Sequence, residues 1–365
     1  IERMKWYGVF YRRQTPGYFM LRLRVPNGIL SAEQMRTIGE LSNRFGRGQV
    51  DITTRQNIQL RWIRITDIPE IFETLKRAAI EHRQSGMDNV RNITGCSLAG
   101  LLKDELLDAS PVAAAIQSAI VGRREFSNLP RKFNVCVTGC SVDCATSQIH
   151  DLSLTPAVKD GRPGFNVMIG GMGGESPEFA RDLDVFVDKS GAAALSLAIV
   201  EIFRDHGHRD DRHTGRMRWL REEWGEEQFR QRLEAKIGPL ERTGQSRVTS
   251  FVGDHLGVTP QKQPGLFAVG CKVPVGRVRG DDLIEFGRLA ETYGDGELRL
   301  TNAQNVILVN VPEARVPALL EEPLLQRYSP DPKSWLRRTV SCTGSDFCQF
   351  ALIDTKGNAV EFAAS

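Results

Sequence analysis

Three short polar clusters and one pair of cysteines hold the residue types that could do chemistry in this 365-residue chain. The segment TTRQN sets Arg55 beside Thr53, Thr54 and Gln56; NVRN sets Arg91 between Asn89 and Asn92; LPRKFN places Lys132 two residues before Asn134. Residues two apart on a strand face the same side, so Lys132 and Asn134 can grip one ligand. If Arg55, Arg91 and Lys132 converged, they would repel one another unless an anion sat among them. Taken singly, each has the plainer reading of a salt-bridged surface residue. The segment SCTGSDFC spaces Cys342 and Cys348 six apart. Thiolates at that spacing can reach one polynuclear iron–sulfur site, whereas a structural zinc site more often separates its ligands by two to four residues. The pair supplies half the ligands that a four-iron cluster needs.

Two weaker signals accompany these. The run MIGGMGG offers Gly170, Gly171, Gly173 and Gly174, whose backbone amides could approach an anionic group; a flexible loop explains it equally well. Cys136, Cys140 and Cys144 cluster in the first half, and Cys140 and Cys144 have a C-x3-C spacing. Buried free thiols are the preferred reading there.

The elements that must position these residues are read from an internal repeat. Pro16 to Leu60 aligns without a gap on Pro264 to Leu308, at an offset of 248 residues. PGYFMLRLRVPNG matches PGLFAVGCKVPVG, and DITTRQNIQL matches RLTNAQNVIL, so that Gln56 and Asn57 fall on Gln304 and Asn305. Gly39, Gly46 and Gly48 likewise fall on Gly287, Gly294 and Gly296. Each copy reads as an alternating strand (Phe19, Leu21, Leu23, Val25), a turn, a helix, a glycine stop and a second strand. The repeats are expected to pair about a pseudo-two-fold axis, where a shared cofactor is commonly held. A duplication kept only for packing would explain the apolar identities but not the Gln and Asn held in register.

Further helices are expected over Pro69 to Arg83, Pro111 to Gly122, Gly191 to Asp205 and Arg218 to Gly238, with strands at KFNVCVTG and GFNVMIGG. The fold class is α+β. No dinucleotide or P-loop signature is present. Lys plus Arg number 48 against 45 Asp plus Glu, a net +3 without a basic stripe, so a nucleic-acid module is disfavoured. The one dense run, Arg204 to Arg221, reads as a solvated helix approach. No stretch reaches the roughly 18 to 20 apolar residues that span a bilayer, and the reading is a cytoplasmic protein without a membrane partner. The chain begins at Ile1, which points to processing, trimming or a fragment.

In order, TTRQN, GMDNVRN, LPRKFN, TNAQN and SCTGSDFC…LIDTK resemble the nitrite and sulfite reductase family that uses sirohaem and a [4Fe–4S] cluster. The likeness runs from about residue 5 to about residue 357. It implies two ferredoxin-like half-domains plus two larger α+β sirohaem-binding domains in a pseudo-two-fold arrangement. The expected divisions are 5–82 (first half-domain), 83–245 (first α+β domain), 253–325 (second half-domain) and 326–365 (the start of a second α+β domain).

By the same resemblance, Arg55, Arg91, Lys132 and Asn134 are the catalytic set around a substrate anion. Thr54, Gln56, Asn57, Gly170, Gly171 and Gln304 bind the cofactor, and Cys342 and Cys348 bind the metal cluster. Sulfite reductases typically carry a second Lys where Asn134 stands, which favours nitrite, a monoanion, over the more highly charged sulfite. The activity implied is six-electron reduction of nitrite to ammonium, with ferredoxin or a similar carrier as donor. Family members take their other two cluster ligands from a later C-x3-C pair, and this chain ends 17 residues past Cys348, so a C-terminal truncation is expected. The alternatives are an assimilatory sulfite reductase, the related precorrin-3B synthase, and an inactive sirohaem-binding remnant. A monomer is expected, because the repeat already provides a symmetric partner surface.

Overall fold

The computed structural model describes residues 2–174, 176–249 and 254–364. In chain order the first stretch holds β1 (Val9–Tyr11), β2 (Phe19–Arg22), β3 (Ile29–Ser31), α1 (Ala32–Phe45), β4 (Gln49–Ile52), β5 (Ile58–Ile63) and α2 (Ile68–Arg77). A middle stretch holds β6 (Val90–Gly95), α3 (Ser110–Ile120), β7 (Phe133–Val137), β8 (Leu152–Lys159), β9 (Arg162–Ile169), β10 (Arg181–Val187), α4 (Ala192–His206), α5 (Met217–Ile237) and β11 (Gln245–Ser246). The last holds β12 (Gly257–Pro260), β13 (Leu266–Cys271), β14 (Arg277–Arg279), α6 (Gly280–Tyr293), β15 (Glu297–Leu300) and β16 (Val306–Pro312). Four short helices follow: α7 (Val316–Leu320), α8 (Pro323–Arg327), α9 (Ser334–Arg338) and α10 (Thr355–Ala364).

Two compact units result: Ile1–His82 together with Asp254–Ser365, and Arg83–Gly253. Residues from 326 onward thus sit in the same unit as both repeats, where the sequence reading began a separate domain.

In the first unit each repeat lends a strand to the other. The first sheet runs β1-β2-β5-β4-β14, the second β12-β13-β16-β15-β3. Strand β14 pairs antiparallel with β4 (Val278 opposite Val50), and β3 with β15 (Leu30 opposite Leu298). The strand-turn-helix-strand unit read from the sequence therefore lacks one feature: the short strand before each helix, which crosses to the partner repeat. Helix α1 starts on a capping box in which Ser31 and Gln34 exchange side-chain and backbone bonds of 3.1 and 3.2 Å. It packs against α6 at a spacing that glycine makes possible: a Cβ on Gly39 would lie 2.5 Å from the Gly280 carbonyl, and one on Gly287 would lie 2.9 Å from that of Ala32. One apolar core runs through both repeats, from Leu21, Met35 and Leu60 to Val269, Phe286 and Leu308. Helix α2 stops at Arg77, short of the Arg83 expected from its apolar spacing, because Ala79 takes a left-handed φ of 54°.

The second unit is a sheet in the order β10-β9-β8-β7-β6, with β6, β7 and β8 parallel. Helices α3, α4 and α5 cover it, burying Ile116, Phe203 and Phe229 against Phe133, Val135 and Val167.

Candidate functional site

In the first unit the TTRQN segment is a tight turn joining β4 to β5. The Thr53 hydroxyl accepts from the amides of Arg55 and Asn57, both at 3.2 Å, and Gln56 takes a left-handed φ of 56°. This geometry turns Thr54 and Arg55 towards the rim of a cleft of about 280 Å³, which Asp51, Arg61, Cys342 and Lys356 also line. Thr54, Arg55 and Cys342, which the sequence reading placed in the site on separate grounds, therefore share one cavity.

Gln56, Asn57 and Gln304, which the resemblance assigned to the cofactor, hold backbone groups of the two repeats. The Gln56 amide donates to the Leu300 carbonyl at 3.0 Å, at the end of the other repeat's β15. The Gln304 amide donates to Ile52 at 3.0 Å, at the end of β4. Asn57 and Asn305 each accept a backbone amide at matching positions, Val25 at 3.4 Å and Val273 at 3.1 Å. All four are buried. Their shared register thus has an architectural cause: buried backbone groups where the repeats interlock need partners, and these amides supply them.

The cysteine segment is anchored at several points. The Ser341 amide donates to Gln304 Oε1 at 3.1 Å, Arg61 donates to the Thr343 hydroxyl at 2.9 Å, and Arg277 pairs with Asp346 at 2.8 Å. The Arg61 guanidinium lies 4.2 Å from the Phe347 ring centre. Behind the cleft, buried Asp51 pairs with Arg61 at 2.6 Å, Arg277 at 3.1 Å and Lys356 at 3.7 Å. Burial alone would push the Asp51 carboxyl up; Arg61, Lys356 and Arg277 together outweigh it and hold the group below its usual range. The Lys356 ammonium also donates to the Val275 carbonyl.

Cys342 is exposed and Cys348 half-buried, and neither forms a disulfide. A hydrogen bond from Thr355, the backbone at Gly344 and the charge of Lys356 lower the Cys342 thiol pKa below the ordinary value. A thiol biased towards thiolate, with a second six residues on, fits half the ligand set of a [4Fe–4S] cluster. Arg55, Arg61 and Lys356 against the single carboxylate of Asp51 leave the cleft cationic, which suits an anionic cofactor edge.

In the second unit, β6 and β7 bring Arg91, Lys132 and Asn134 to neighbouring strands. The register slips by one residue between Val90 opposite Phe133 and Ile93 opposite Val135. This bulge lets both Val90 and Ile93 reach the core and turns Arg91 away from it. The Arg91 guanidinium donates to the carbonyls of Met87 at 2.8 Å and Ser85 at 3.3 Å. Phe133 points into the core, so Lys132 and Asn134 on either side of it take the opposite face. The Asn134 backbone N–H donates to Asp151 at 2.7 Å, and Arg216 clamps that carboxylate at 3.0 and 2.7 Å. Asn134 is 6% exposed, and its Oδ1 is buried without a hydrogen-bond partner. A buried acceptor left open on the face that carries Arg91 and Lys132 is the mark of a site for a polar ligand.

Gly170 and Gly171 answer first to packing. A Cβ on Gly171 would lie 2.4 Å from the Gln148 carbonyl and 2.5 Å from that of His150, whereas Gly173 and Gly174 face open space. Cys136 and Cys140 are buried, and burial pushes the Cys136 thiol well up, in keeping with structural thiols. Two parts of the machinery had no reading in the sequence. One is the Asp51 network, whose members 51, 61, 277 and 356 have no spacing signature. The other is Arg216, which lies in the run read as solvated yet is buried on Asp151.

One unit thus offers a cationic cleft with a thiol of lowered pKa, and the other a polar face that carries Arg91 and Lys132. Comparison with known proteins gives the family. The model described as the nitrite and sulphite reductase 4Fe-4S domain matches residues 86–239, and that of the nitrite/sulfite reductase ferredoxin-like half domain matches 11–78 and 259–325. A ferredoxin–nitrite reductase of Synechococcus elongatus is 47% identical across the whole of this chain and 73% of its own length. One from Leptolyngbya laminosa is 44% identical over 98% of this chain and 72% of its own length. The chloroplastic enzyme of Arabidopsis thaliana is 43% identical, with 64% of its length covered. The solved structure of the Mycobacterium tuberculosis NirA protein superposes with a TM-score of 0.92 at 29% identity, covering 99% of this chain and 69% of that one. The chain belongs to the nitrite and sulphite reductase family and is an oxidoreductase of the ferredoxin–nitrite reductase type, enzymes that work with sirohaem and a [4Fe–4S] cluster. Among the described residues no helix is long and apolar enough to cross a membrane.

Proposed function

We propose that this protein reduces nitrite to ammonium by six electrons, drawn one at a time from ferredoxin or a similar carrier. Asn134 is the observation that carries the choice of substrate. It presents a neutral amide on a buried face, where a second ammonium would overcompensate a monoanion. The names of the most similar relatives agree with this reading.

When bound, sirohaem and the cluster supply the redox chemistry and the iron that takes the substrate. The chain's own groups do the rest. Arg91 and Lys132 hold charge on the nitrite oxygens and deliver protons, directly or through water, as each oxygen leaves. The Asp151–Arg216 pair positions Asn134 through its backbone amide. Arg55, in the first unit's cleft, and the cations around Asp51 balance the carboxylates of the cofactor, while Cys342 and Cys348 hold one edge of the cluster.

Nitrite and sulfite turnover driven by reduced viologen tests the proposal. Nitrite should be strongly preferred, and Asn134→Lys should move the ratio towards sulfite. Lys132→Met should cost on the order of 10² in nitrite turnover. An unchanged ratio in the first variant would remove the charge argument, and near-normal activity in the second would remove Lys132 from the site.

A further inference from the structure

One aromatic column in the first unit leads from the surface to the cysteine segment. The Arg47 guanidinium lies 4.5 Å from the ring centre of Tyr18 and 4.2 Å from that of Trp62. Tyr18 meets Trp62 edge-on at 5.6 Å, and Trp62 meets Phe347 at 5.4 Å. Phe347 is 3% exposed, and the next residue is Cys348.

The backbone at Trp62 shows that this arrangement is costly. Trp62 sits in β5 at a left-handed φ of 59°, a conformation in which a bulky side chain is an outlier. Its equivalent in the second repeat is Asn310, at a φ of 57°, where asparagine is an ordinary choice. The same fold position is thus occupied by a compatible residue in one repeat and a strained one in the other. Strain held in this way clusters at functional positions. The indole is fixed further by a 2.7 Å hydrogen bond from its Nε1 to Gln49.

The surroundings are cationic. The nearby charges of Arg47 and Arg64 hold the Tyr18 hydroxyl below its usual pKa. Arg47, Arg277 and Arg279 line an adjoining surface cleft in which Asp281 is the one carboxylate, and Arg277 lies 5.8 Å from the Phe347 ring centre. Flat aromatic groups among arginines are the composition of a protein-docking surface.

We infer that Tyr18, Arg47 and Arg64 form the docking face for an acidic one-electron carrier protein, and that Trp62 and Phe347, behind it, bridge to Cys348. This rests on reading Cys342 and Cys348 as cluster ligands. In each encounter the carrier is oxidised by one electron and the cluster reduced by one; no bond forms or breaks. The aromatic rings act as a packed medium for the transfer and do not themselves become reduced. Arginine steers the acidic partner and makes its binding sensitive to salt.

The test uses the full chain with its cofactors and a plant-type [2Fe–2S] ferredoxin as the probe. Calorimetric titration should give a Kd that weakens with added salt, and Arg47→Glu should raise it about tenfold at low ionic strength. Trp62→Asn, which installs the residue the other repeat uses, should fold normally and leave the Kd within about twofold, since the arginines remain. Its carrier-to-protein transfer, followed by stopped flow, should slow at least about tenfold while viologen-driven turnover persists, because viologen does not need the bridge. Carrier affinity indifferent to Arg47→Glu overturns the docking face. Transfer indifferent to Trp62→Asn overturns the bridge. Arg47-dependent binding by a protein that contains no cluster would uphold the docking face while refuting the ligand reading of Cys342 and Cys348 and, with it, the bridge.

Discussion

Substituting the two interlocking glutamines by leucine separates architecture from chemistry, because the repeat makes each the control of the other. Gln56→Leu removes, among other bonds, the 3.0 Å bond to Leu300 and a long 3.4 Å contact to Asn27, so that at least one buried carbonyl loses its donor. A buried acceptor stripped of its partner costs roughly 1 to 3 kcal/mol. Gln304→Leu removes the 3.0 Å bond to Ile52 and, in addition, the acceptor for the Ser341 amide at 3.1 Å. Two orphaned backbone groups give an expected cost of roughly 2 to 6 kcal/mol. Only the second substitution touches the segment that carries Cys342. Urea unfolding should show both variants destabilised, and alkylation of Cys342 in native protein should change in Gln304→Leu and not in Gln56→Leu. An altered Cys342 in both, or in neither, would refute the asymmetry. A negligible cost in both would return these amides to the cofactor.

Asp51→Asn should cost about 3 to 5 kcal/mol at neutral pH, since Arg61, Arg277 and Lys356 would lose a buried counter-charge. The folded Asp51 carboxyl titrates below its unfolded value, so its contribution is complete above about pH 4 and disappears as pH falls through the folded value. Stability curves of the two proteins should converge in acid; a constant gap would show that the carboxylate charge is not the cause. Cys342 should react with iodoacetamide at a midpoint pH below that of an unperturbed thiol, and Thr355→Val should move the midpoint up. Identical midpoints would exclude the hydroxyl as the source. Asp151→Asn should lower nitrite turnover through displacement of Asn134, with a larger effect on KM than Lys132→Met produces, as steady-state kinetics would show.

Much of this protein was legible before any coordinates. The ungapped match of Pro16–Leu60 to Pro264–Leu308 announced two paired copies, because a fixed offset survives only when each turn and strand keeps its length. Cys342, Arg55 and Thr54 were found from residue type and motif, and the fold brings them to one cleft. The structural task of Gln56 and Gln304 was not legible for a physical reason: a buried amide serving a partner's backbone has the same sequence pattern as one serving a ligand. The bulge that turns Arg91 away from the core left no trace, since one extra residue in a strand changes no composition. Arg216 was concealed by its neighbours, a run of charges in which only burial distinguishes the residue that clamps Asp151. The Asp51 network draws on both repeats and the C-terminal helix, so no local window contains it.

The exchange of strands between the repeats also sets a timetable for synthesis. Strand β4 is complete at Ile52, yet its edge partner β14 begins at Arg277, and the paired residues Asp51 and Arg277 are 226 positions apart. At the usual rate of some 5 to 20 residues per second, the first repeat waits roughly 10 to 45 s with that edge open. Open edges recruit other chains, and a charge placed on them is the common deterrent. Asp51 has Arg61 beside it from the start but lacks Arg277 and Lys356 until they are made, so the carboxylate that ties the cleft together gathers its full set of partners only with the last residues of the chain.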